Sequence, residues 1–558
     1  MDSFKLLKRR TTDLFNSLPQ NLPSIQSLNL GQHHGHHAHG RGPSMKGTFE
    51  KISIPPLPRS SHSANIIAGT VYIFGGESED ARKPVDNDIL AVTLPSSGAP
   101  ADYYTIKPKA APKAQPPPAV VVESPVDTET DKTAEEAETS SPAVDKGKAP
   151  EASPSSSLGD VPGPRVGHAS ASIGHRIFVF GGRGGPEMDA LDERGRVWVF
   201  DTRTHLWSYL DPVIPVPATS GSNEPIIPAP RSYHVAVATD KPNEFDLAPR
   251  HPKAATRADS WKEWARGDSD EVGIPQRPIV GAVAARATDV DDNGYGTFII
   301  HGGCLSGGAR ASDVWAFDVH SRTWQRLPDA PGSSRGGAAL ALSRSRLYRF
   351  GGFNGETEEG GQLDVLELTV DQFNDEFSAG EVAVSARGGW QSLLQNKEDV
   401  GYKEVDTADA PLTSAEEADP WPGPRSVARM EAVTVGGGRE YLVLMMGERS
   451  PSGAGHEAAG SFWDDVWVFQ VPAHSGTAAS LADNLLSAVG RKSAEGKWAR
   501  VQLAVHDDED DASLDGPGAR GWFASAPMGE LEENGIVIWG GLDAGNKRLG
   551  DGWIIRLG

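Results

Sequence analysis

The chain has 558 residues, with 76 acidic against 53 basic side chains and a formal net charge of −23. A chain this acidic lacks the basic surface that is needed to bind nucleic acids or anionic membranes, so we expect neither as a general partner. The single cysteine, Cys304, excludes an intramolecular disulfide and favours a reducing, cytoplasmic setting. We find no apolar run as long as a signal-peptide core or a membrane span, and we expect no transmembrane segment.

Residues 1–46 form a basic tail, with six Lys/Arg and two Asp/Glu, that we expect to be mostly disordered. Within residues 1–18, apolar side chains stand at helical spacing with basic ones between them, which favours a short amphipathic helix. Weak membrane contact, a targeting presequence and docking on the protein itself all remain open for it. We expect only incidental metal affinity from the tract that follows, which contains His33, His34, His36, His37 and His39.

From residue 47 onward, one structural unit recurs six times. In each copy an apolar strand runs into a short glycine turn. A unit of this size cannot bury its own faces, so the copies must stack in one domain that spans residues 47–558. The copies are VYIFGG at Val71–Gly76, IFVFGG at Ile177–Gly182, FIIHGG at Phe298–Gly303, LYRFGG at Leu347–Gly352, LVLMMG at Leu442–Gly447 and IVIWGG at Ile536–Gly541.

Three further landmarks accompany each glycine turn. An arginine precedes it, a second apolar strand that usually begins with Asp follows it, and an aromatic residue then opens an outer strand. The two apolar strands are nearly continuous rather than alternating, which is typical of strands buried on both faces. We therefore expect an all-β ring of four-stranded blades with approximate bounds 55–108, 161–212, 229–328, 333–395, 423–503 and 518–558. The outer-strand aromatics are Trp207, Trp324, Trp390 and Trp498, with Tyr104 as a weaker counterpart.

The sixth unit reaches Gly558 without an outer strand of its own. Thr48–Ile54, ahead of the first unit, has the pattern of an outer strand, with Phe49 at the aromatic position. We expect this strand, residues 48–54, to complete the last blade, because the pairing covers a sheet edge that would otherwise be open.

The glycine doublet, the D-V-W-x-F-D strand and the late tryptophan together resemble the Kelch repeat. The resemblance covers roughly residues 48–558 and implies a six-bladed Kelch-type β-propeller whose last blade is closed by the N-terminal strand. Two positions depart from the repeat. Met446 replaces the first glycine of the fifth turn, and Leu90 stands where the mid-strand tryptophan is often found.

Two long insertions interrupt the units. Residues 109–160 hold ten Asp/Glu against five Lys and are rich in Pro, Ala, Ser and Thr. With little to bury, this acidic linker is expected to be disordered, either as a tether or as a recognition or phosphorylation segment. Residues 241–294 carry Trp261 and Trp264, which either pack on the propeller or bind a partner. Ser480–Gly490, in a later loop, has a pattern compatible with a helix.

Catalytic patterns are scarce. Gly332–Gly336 matches G-x-S-x-G by letter, but it forms a loop entering a strand rather than a strand-to-helix elbow, so it predicts no hydrolase. Kelch-type copper oxidases use a Tyr–Cys crosslink, and no matching copper ligand set accompanies Cys304. Nitrile-specifier proteins are more similar and resemble iron-dependent lyases with the pattern E-x-x-x-D-x-x-x-H. Asp201 and His205 supply its second half, whereas Val197 occupies the glutamate position.

The arginine that opens each unit defines the most informative candidate site. Propeller symmetry places the six arginines around the central axis, near one mouth of the channel. They either form a cationic rim for an acidic peptide, since a guanidinium binds carboxylate bidentately, or tie each loop to the neighbouring blade. The set is Arg59, Arg165, Arg231, Arg335, Arg425 and Arg520. Three histidines that follow three residues later are the candidate metal ligands: His62, His168 and His234.

We predict a protein–protein interaction scaffold that binds a protein or acidic peptide through the loop face of the propeller, without a cofactor. The alternative is an iron-dependent, nitrile-specifier-like lyase, or another metal-dependent enzyme with its site at the channel mouth. The enzyme requires two or three convergent ligands, whereas the scaffold requires only an exposed arginine and aromatic patch.

Overall fold

The structure is a computed structural model that describes residues 45–78, 83–96, 98–112, 158–214, 226–242, 294–373, 381–395, 421–453, 458–472, 495–506 and 515–558. The chain separates into two compact units, Met1–Pro43 and Ser44–Gly558. Most of the predicted tail with its histidine tract, most of the acidic linker, the insertion with Trp261 and Trp264, and Ser480–Gly490 lie outside the described residues. Within those described, we find no helix with the length and apolar character needed to cross a bilayer.

Six antiparallel blades follow one another along the second unit, as the repeats predict. Each innermost strand lies against the innermost strands of the blades before and after it, and the last lies against the first. The blades therefore close a ring around a central channel, which is the geometry of a six-bladed propeller. Blade 1 consists, from inner to outer strand, of Ser63–Ile67, Thr70–Phe74, Ile89–Thr93 and Asp102–Ile106. Blade 2 consists of Ala169–Ile173, Arg176–Phe180, Val197–Asp201 and Leu206–Leu210.

The remaining blades repeat this order with local variations. Blade 3 consists of Val235–Thr239, Thr297–His301, Val314–Asp318 and Thr323–Leu327. Blade 4 consists of Ala339–Ser343, Arg346–Phe350 and Gln362–Phe373, with an outer edge divided into Glu381–Ala386 and Gln391–Leu394. Blade 5 consists of Arg429–Val435, Arg439–Met445, Val466–Gln470 and Trp498–Val505. Blade 6 consists of Ala524–Pro527, Gly535–Leu542, Arg548–Leu557 and the N-terminal Met45–Lys51.

Within the described residues, short elements lie in the loops between the blade strands. Three two-stranded pairs join Arg183–Gly184 to Asp189–Ala190, Arg231–Ser232 to Cys304–Leu305, and Glu448–Ser450 to Ser461–Phe462. Two 3₁₀ turns span Ser306–Gly308 and Gly529–Leu531.

The N-terminal strand closes the last blade, as predicted, but at different bounds. It spans Met45–Lys51 rather than residues 48–54. One of its edges pairs antiparallel with Arg548–Leu557, and the other pairs parallel with Trp498–Val505 of blade 5. Blades 5 and 6 thereby share one eight-stranded sheet, which leaves neither edge of the N-terminal strand unpaired.

Two of the predicted outer-strand aromatics, Tyr104 and Trp390, do not occupy the predicted position in their blades. In blade 1, Tyr103 pairs with Val92 at the position that Trp207 occupies in blade 2, whereas Tyr104 points to the other face and is 44% exposed. Successive strand residues face opposite sides, so a shift of one residue exchanges core for solvent. Trp390 lies in the break of the blade 4 edge rather than opening its outer strand, and its indole donates to the Pro328 carbonyl at 2.8 Å.

Blade faces pack against each other through aromatic and branched side chains. Between blades 2 and 3, Phe178 stacks on Phe298 with ring centroids 6.2 Å apart, and Trp315 fills the same cluster. The mid-strand residues Trp198 and Phe200 bury their rings on the opposite side, against blade 1. This two-sided burial explains why the second and third strands are apolar at nearly every position.

Candidate functional site

The six repeated arginines are buried beneath the mouth, with exposures of 0–5%. Each side chain donates to the carbonyl at the glycine turn of its own blade, at 2.7–3.2 Å. Four also form bidentate pairs with a carboxylate of the same blade, namely Arg165 with Glu193, Arg231 with Asp313, Arg425 with Asp465, and Arg520 with Asp551. The guanidiniums are therefore engaged inside the blades, and a role as partner-contacting rim residues stays a prediction.

The Arg231 pair illustrates the electrostatics of these ties. Asp313 accepts from Arg231 at 2.6 and 2.8 Å and from the Trp315 indole at 2.8 Å. Although burial opposes ionisation, the bonds and charge of Arg231 dominate and hold the pKa of Asp313 below its ordinary value. The repeated Asp–x–Trp sequence thus supplies both an ion-pair acceptor and an indole donor to the same carboxylate.

The arginine backbones link neighbouring blades. In all six units the arginine carbonyl accepts from the second residue of the glycine turn in the preceding blade, at 2.8–3.0 Å. Gly76, for example, donates to Arg165 at 2.9 Å and has φ = 87°. A side chain at Gly76 would lie 2.7 Å from the Ser60 carbonyl, so glycine is required by both conformation and space. The hydrogen bond between the glycine turn and the arginine carbonyl agrees with the alternative prediction, in which each arginine joins a loop to the neighbouring blade.

A closed ring of backbone hydrogen bonds encircles the axis just above the inner strands. We name it the collar, and its six members have φ between 45 and 64°. Each collar N–H donates to the carbonyl of the member in the preceding blade at 2.6–3.3 Å, and the first donates to the last. The members are Ser61, Gly167, Tyr233, Gly337, Val427 and Trp522. Four of them hold a left-handed conformation although they are not glycine, so the collar contains local backbone strain. The closed hydrogen-bonded ring fixes the geometry of the mouth.

The three candidate histidines line the narrow space inside the collar, which holds about 40 Å³. His168 stacks edge-on against Phe74 of blade 1, and His234 does the same against Phe180 of blade 2, with ring centroids 5.2 and 5.6 Å apart. Burial lowers the pKa of His234 to about 3 and those of His62 and His168 well below their ordinary value, so all three are neutral. Within the described part of the chain they form no group of three metal-binding side chains.

The Asp201 and His205 half-pattern lies at a turn. The Asp201 carboxylate accepts the backbone N–H groups of Arg203 and Thr204 at 2.8 and 2.9 Å. His205 stacks on Phe200 and has φ = 59°. Both residues thus shape the connection between the third and outer strands of blade 2, rather than converging on a shared ligand position.

Above the collar opens a cavity of about 740 Å³, which we name the mouth cavity. Its walls include the residue after the glycine turn of every blade, and the backbone of that residue pairs with the residue after the arginine of the same blade. The position after the glycine turn carries a different side chain in almost every blade, namely Glu77, Arg183, Cys304, Phe353, Glu448 and Leu542. A fixed backbone therefore presents a variable chemical surface, which is the arrangement expected of a recognition site.

Two arginines of the mouth cavity lie on aromatic rings of the next blade. The Arg183 guanidinium is 5.6 Å from the Tyr233 ring and donates to Ser232 Oγ at 2.7 Å, while Arg310 is 5.1 Å from the Phe353 ring. Among the described residues, neither has a carboxylate oxygen within the 4.0 Å of an ion pair. The stacking orients both guanidiniums without neutralising their charge.

On the opposite side of the cavity the charges are matched. Arg548 donates to Glu77 at 2.9 Å, which joins blade 6 to blade 1. Cys304, which lines the cavity from blade 3, is half-buried and carries a free thiol. The two lining arginines without an ion pair among the described residues, Arg183 and Arg310, therefore belong to blades 2 and 3, and Glu187 and Glu356 line the same cavity.

Two carboxyl groups of the mouth region have raised pKa values. Burial raises the pKa of Glu358 to about 8, with the charge of Glu448 adding to the rise and Arg310 opposing it. Burial alone raises the pKa of Glu448 to about 7. Their environment therefore favours neutral carboxyl groups around neutral pH.

Below the collar, the inner strands enclose a channel of about 380 Å³. Arg429 faces it and donates to the Phe523 carbonyl at 2.8 Å. Glu431, two residues along the same strand, accepts from Ser525 Oγ at 2.5 Å, and burial raises its pKa to about 6. The remaining wall is largely alanine, serine and valine.

Sequence reasoning missed the mouth cavity, although the aligned repeats carry a signal for it. The residue that follows each glycine turn varies among acidic, basic, aromatic and apolar types, while the glycine directly before it stays constant. A position that is structurally fixed and chemically free is where a repeat protein places recognition. Arg310 and Glu358 leave no such signal, because they come from loops whose lengths differ between units.

Comparisons with known proteins agree with the repeats. The family model described as the Kelch motif matches residues 164–213, which correspond to blade 2. An N-(sulfonatooxy)prop-2-enimidothioate sulfolyase from Thlaspi arvense is 28% identical over 203 residues, 35% of this chain and 53% of the relative. The Rho GTPase-activating protein gacHH from Dictyostelium discoideum is 35% identical over 81 residues, 14% of this chain and 5% of the relative.

These matches are partial. The chain spans about half of the sulfolyase's length and a small fraction of the GTPase-activating protein. A solved structure described as that of YjhT aligns over 90% of this chain and 95% of its own, with a TM-score of 0.42 and 13% identity. The closed ring of six blades is a Kelch-type β-propeller, and its blade 2 carries a matching Kelch motif.

Proposed function

We propose that this propeller is an interaction scaffold that binds an acidic segment of a protein partner in the mouth cavity. The observation that carries the proposal is the pair Arg183 and Arg310, which are stacked on Tyr233 and Phe353 and have no carboxylate partner among the described residues. Preorientated guanidiniums lose little conformational entropy on binding a carboxylate, and neighbouring aromatic rings supply apolar contact. Arginine and aromatic anchors of this kind carry most of the energy in protein interfaces.

The six buried arginines enter the proposal as positioning residues. Their side chains fix the glycine turns, and their carbonyls fix the preceding blade, at 2.8–3.0 Å. The variable residues of the mouth follow directly on these anchored positions. In this proposal the cationic residues that contact the partner are Arg183 and Arg310 rather than the six repeated arginines.

Reversing the charge of the two mouth arginines tests the proposal. A rhodamine-labelled octaglutamate peptide serves as the probe in fluorescence anisotropy, with octalysine as the charge control. We expect Arg183→Glu and Arg310→Glu each to weaken octaglutamate binding by about tenfold or more, because a repulsive contact replaces an attractive one. Arg387→Glu, on a side chain that is 74% exposed at the edge of blade 4, is the matched control. Equal losses in all three variants would reveal a general charge effect and contradict the proposed site.

A second candidate is a lyase that acts on a small anionic molecule. It is favoured by the similarity to a sulfolyase, whose named substrate carries a sulfonatooxy group, since the same two guanidiniums suit an anion of that kind. If such a lyase is iron-dependent, it requires convergent ligands that the described residues do not group together.

Metal content separates the two candidates. We expect purified protein lacking residues 1–44, and with them the histidine tract, to carry clearly less than one transition-metal ion per chain when measured by plasma mass spectrometry. Stoichiometric iron in that protein would instead support the lyase. The truncation keeps Met45–Lys51, so blade 6 remains complete.

A further inference from the structure

Three consecutive blades bring Arg310, Glu358 and Glu448 to one side of the mouth. Arg310 and Glu448 line the mouth cavity, whereas Glu358, whose carboxyl oxygens are buried, lies outside its lining. Arg310 belongs to the loop after the glycine turn of blade 3, and Glu358 belongs to the corresponding loop of blade 4. Glu448 directly follows the glycine turn of blade 5, where its backbone pairs with Ser426. We name Glu358 and Glu448 the mouth carboxyls.

Both mouth carboxyls are buried, and backbone packs directly on one of them. Glu448 is 7% exposed, and a side chain at Gly460 would lie 3.2 Å from its carboxyl carbon, so the Gly460 backbone packs directly on it. Like charges that share a poorly hydrated space cannot both ionise at low cost. Burial is the main reason that the pKa values of Glu358 and Glu448 rise to about 8 and 7, and for Glu358 the charge of Glu448 adds to it.

Other charged and titratable groups around the mouth do not compensate these carboxyls. Arg310 is the cation that acts on Glu358, and it lies on Phe353 without an ion pair among the described residues. Glu359 is occupied by Asn354 at 2.9 Å and by Arg335. The remaining groups that line the cavity are Glu77 with Arg548, Arg183, Glu187, Glu356, Tyr233 and Cys304.

We propose that the mouth carboxyls form a proton-linked carboxylate site, in which they hold or take up protons when an acidic side chain of the partner binds beside Arg310. This inference rests on the proposed function and adds its pH regulation. A bound carboxylate brings a third negative charge next to the pair, which further favours the protonated form. The protons come from solvent, and the protonated carboxyl of Glu448, which lines the cavity, gains an O–H group that can donate to the bound carboxylate.

The direction of the pH effect follows from linkage. If binding takes up protons, affinity falls as pH rises through the range in which the free mouth carboxyls ionise, about 7 to 8. Each linked proton changes the dissociation constant by up to about tenfold per pH unit above that range. Binding should therefore be tightest at slightly acid pH and weakest under alkaline conditions.

The test uses the full chain and the rhodamine-labelled octaglutamate probe between pH 6 and pH 9 at constant ionic strength. For the wild type we expect the dissociation constant to rise by about tenfold or more across this range. In the double variant Glu358→Gln/Glu448→Gln, where both groups stay neutral, binding at pH 9 should recover to the strength seen at pH 6. Glu530→Gln, on the exposed Gly529–Leu531 turn of blade 6, is the control and should follow the wild type.

The outcomes separate the two proposals. If octaglutamate binds at pH 6 but the double variant loses affinity with pH as steeply as the wild type, the proton-linked site is wrong and the scaffold proposal stands. If octaglutamate binds at no pH, both are overturned.

Thermal unfolding of Glu448→Gln alone gives an independent readout. The folded state keeps the Glu448 proton up to about pH 7, whereas the unfolded chain loses it near the ordinary value of 4.5, so wild-type stability falls as pH rises between these values. We expect the variant to unfold at a higher temperature than the wild type at pH 8 and at a similar temperature at pH 4. A variant that gains nothing at pH 8 would show that Glu448 is not held protonated and would overturn the inference.

Discussion

Replacing Arg231 with alanine is expected to lower the free energy of unfolding by about 3–5 kcal/mol. The Arg231 side chain is fully buried, and its removal leaves Asp313 without its bidentate partner and the Gly302 carbonyl without its 3.0 Å donor. Asp313 is largely buried, so water cannot fully replace the lost contacts. Chemical denaturation followed by tryptophan fluorescence measures the change.

Two variants isolate the buried pair as the cause. Arg326→Ala removes an arginine whose pair with Asp329 is exposed, at 40% and 43%, and should change stability by less than about 1 kcal/mol. Arg231→Leu combined with Asp313→Leu should recover part of the loss, because no isolated buried charge remains. Recovery stays partial since the Trp315 indole loses its acceptor. Equal effects of Arg231→Ala and Arg326→Ala would contradict a structural role for the repeated arginine.

The arginine recurrence was visible in the sequence, whereas the partner of each arginine was only partly so. An Asp opens the third strand in most units, and Asp313, Asp465 and Asp551 do accept the arginine of their own blade. Blade 4 breaks this rule because Arg349 in its second strand takes Asp364 at 2.5 Å. Arg335 is left with the more distant Glu359, at 3.8 Å. This change of partner, in which Arg349 rather than Arg335 pairs with Asp364, depends on side-chain packing and leaves no periodic pattern in the sequence.

Strand positions were predictable where the periodicity was strong and shifted where it was weak. The apolar strands before the glycine turns agree with the structure because burial on both faces constrains nearly every residue. The outer strand of blade 1 contains two consecutive tyrosines, Tyr103 and Tyr104, so the sequence alone does not say which of them faces the core. The mouth carboxyls were not predicted, since the charge of Glu448 acts on Glu358 only when blades 4 and 5 lie beside each other in the ring.

Deleting residues 1–51 is expected to abolish cooperative folding of the propeller, whereas deleting residues 1–44 leaves every described contact in place. The longer deletion removes Met45–Lys51, which pairs with Arg548–Leu557 on one edge and Trp498–Val505 on the other. It would leave blade 6 with three strands and expose two unpaired edges, which promote aggregation. Size-exclusion chromatography and thermal unfolding of the two truncations measure the difference.

Point variants test the same closure in the intact chain. Phe49 is 7% exposed and contacts the Trp553 ring edge-on at 5.8 Å, so Phe49→Ala should cost about 3–5 kcal/mol. Gly47→Val should disrupt the pairing itself, because a Cβ at this position would lie 2.8 Å from the Arg556 carbonyl and 3.1 Å from Val501. A long deletion that stayed monomeric and unfolded like the short one would mean that the strand is dispensable. The expected result would mean that a strand from the start of the chain holds blades 5 and 6 in one sheet, so that ring closure and the geometry of the mouth depend on the same seven residues.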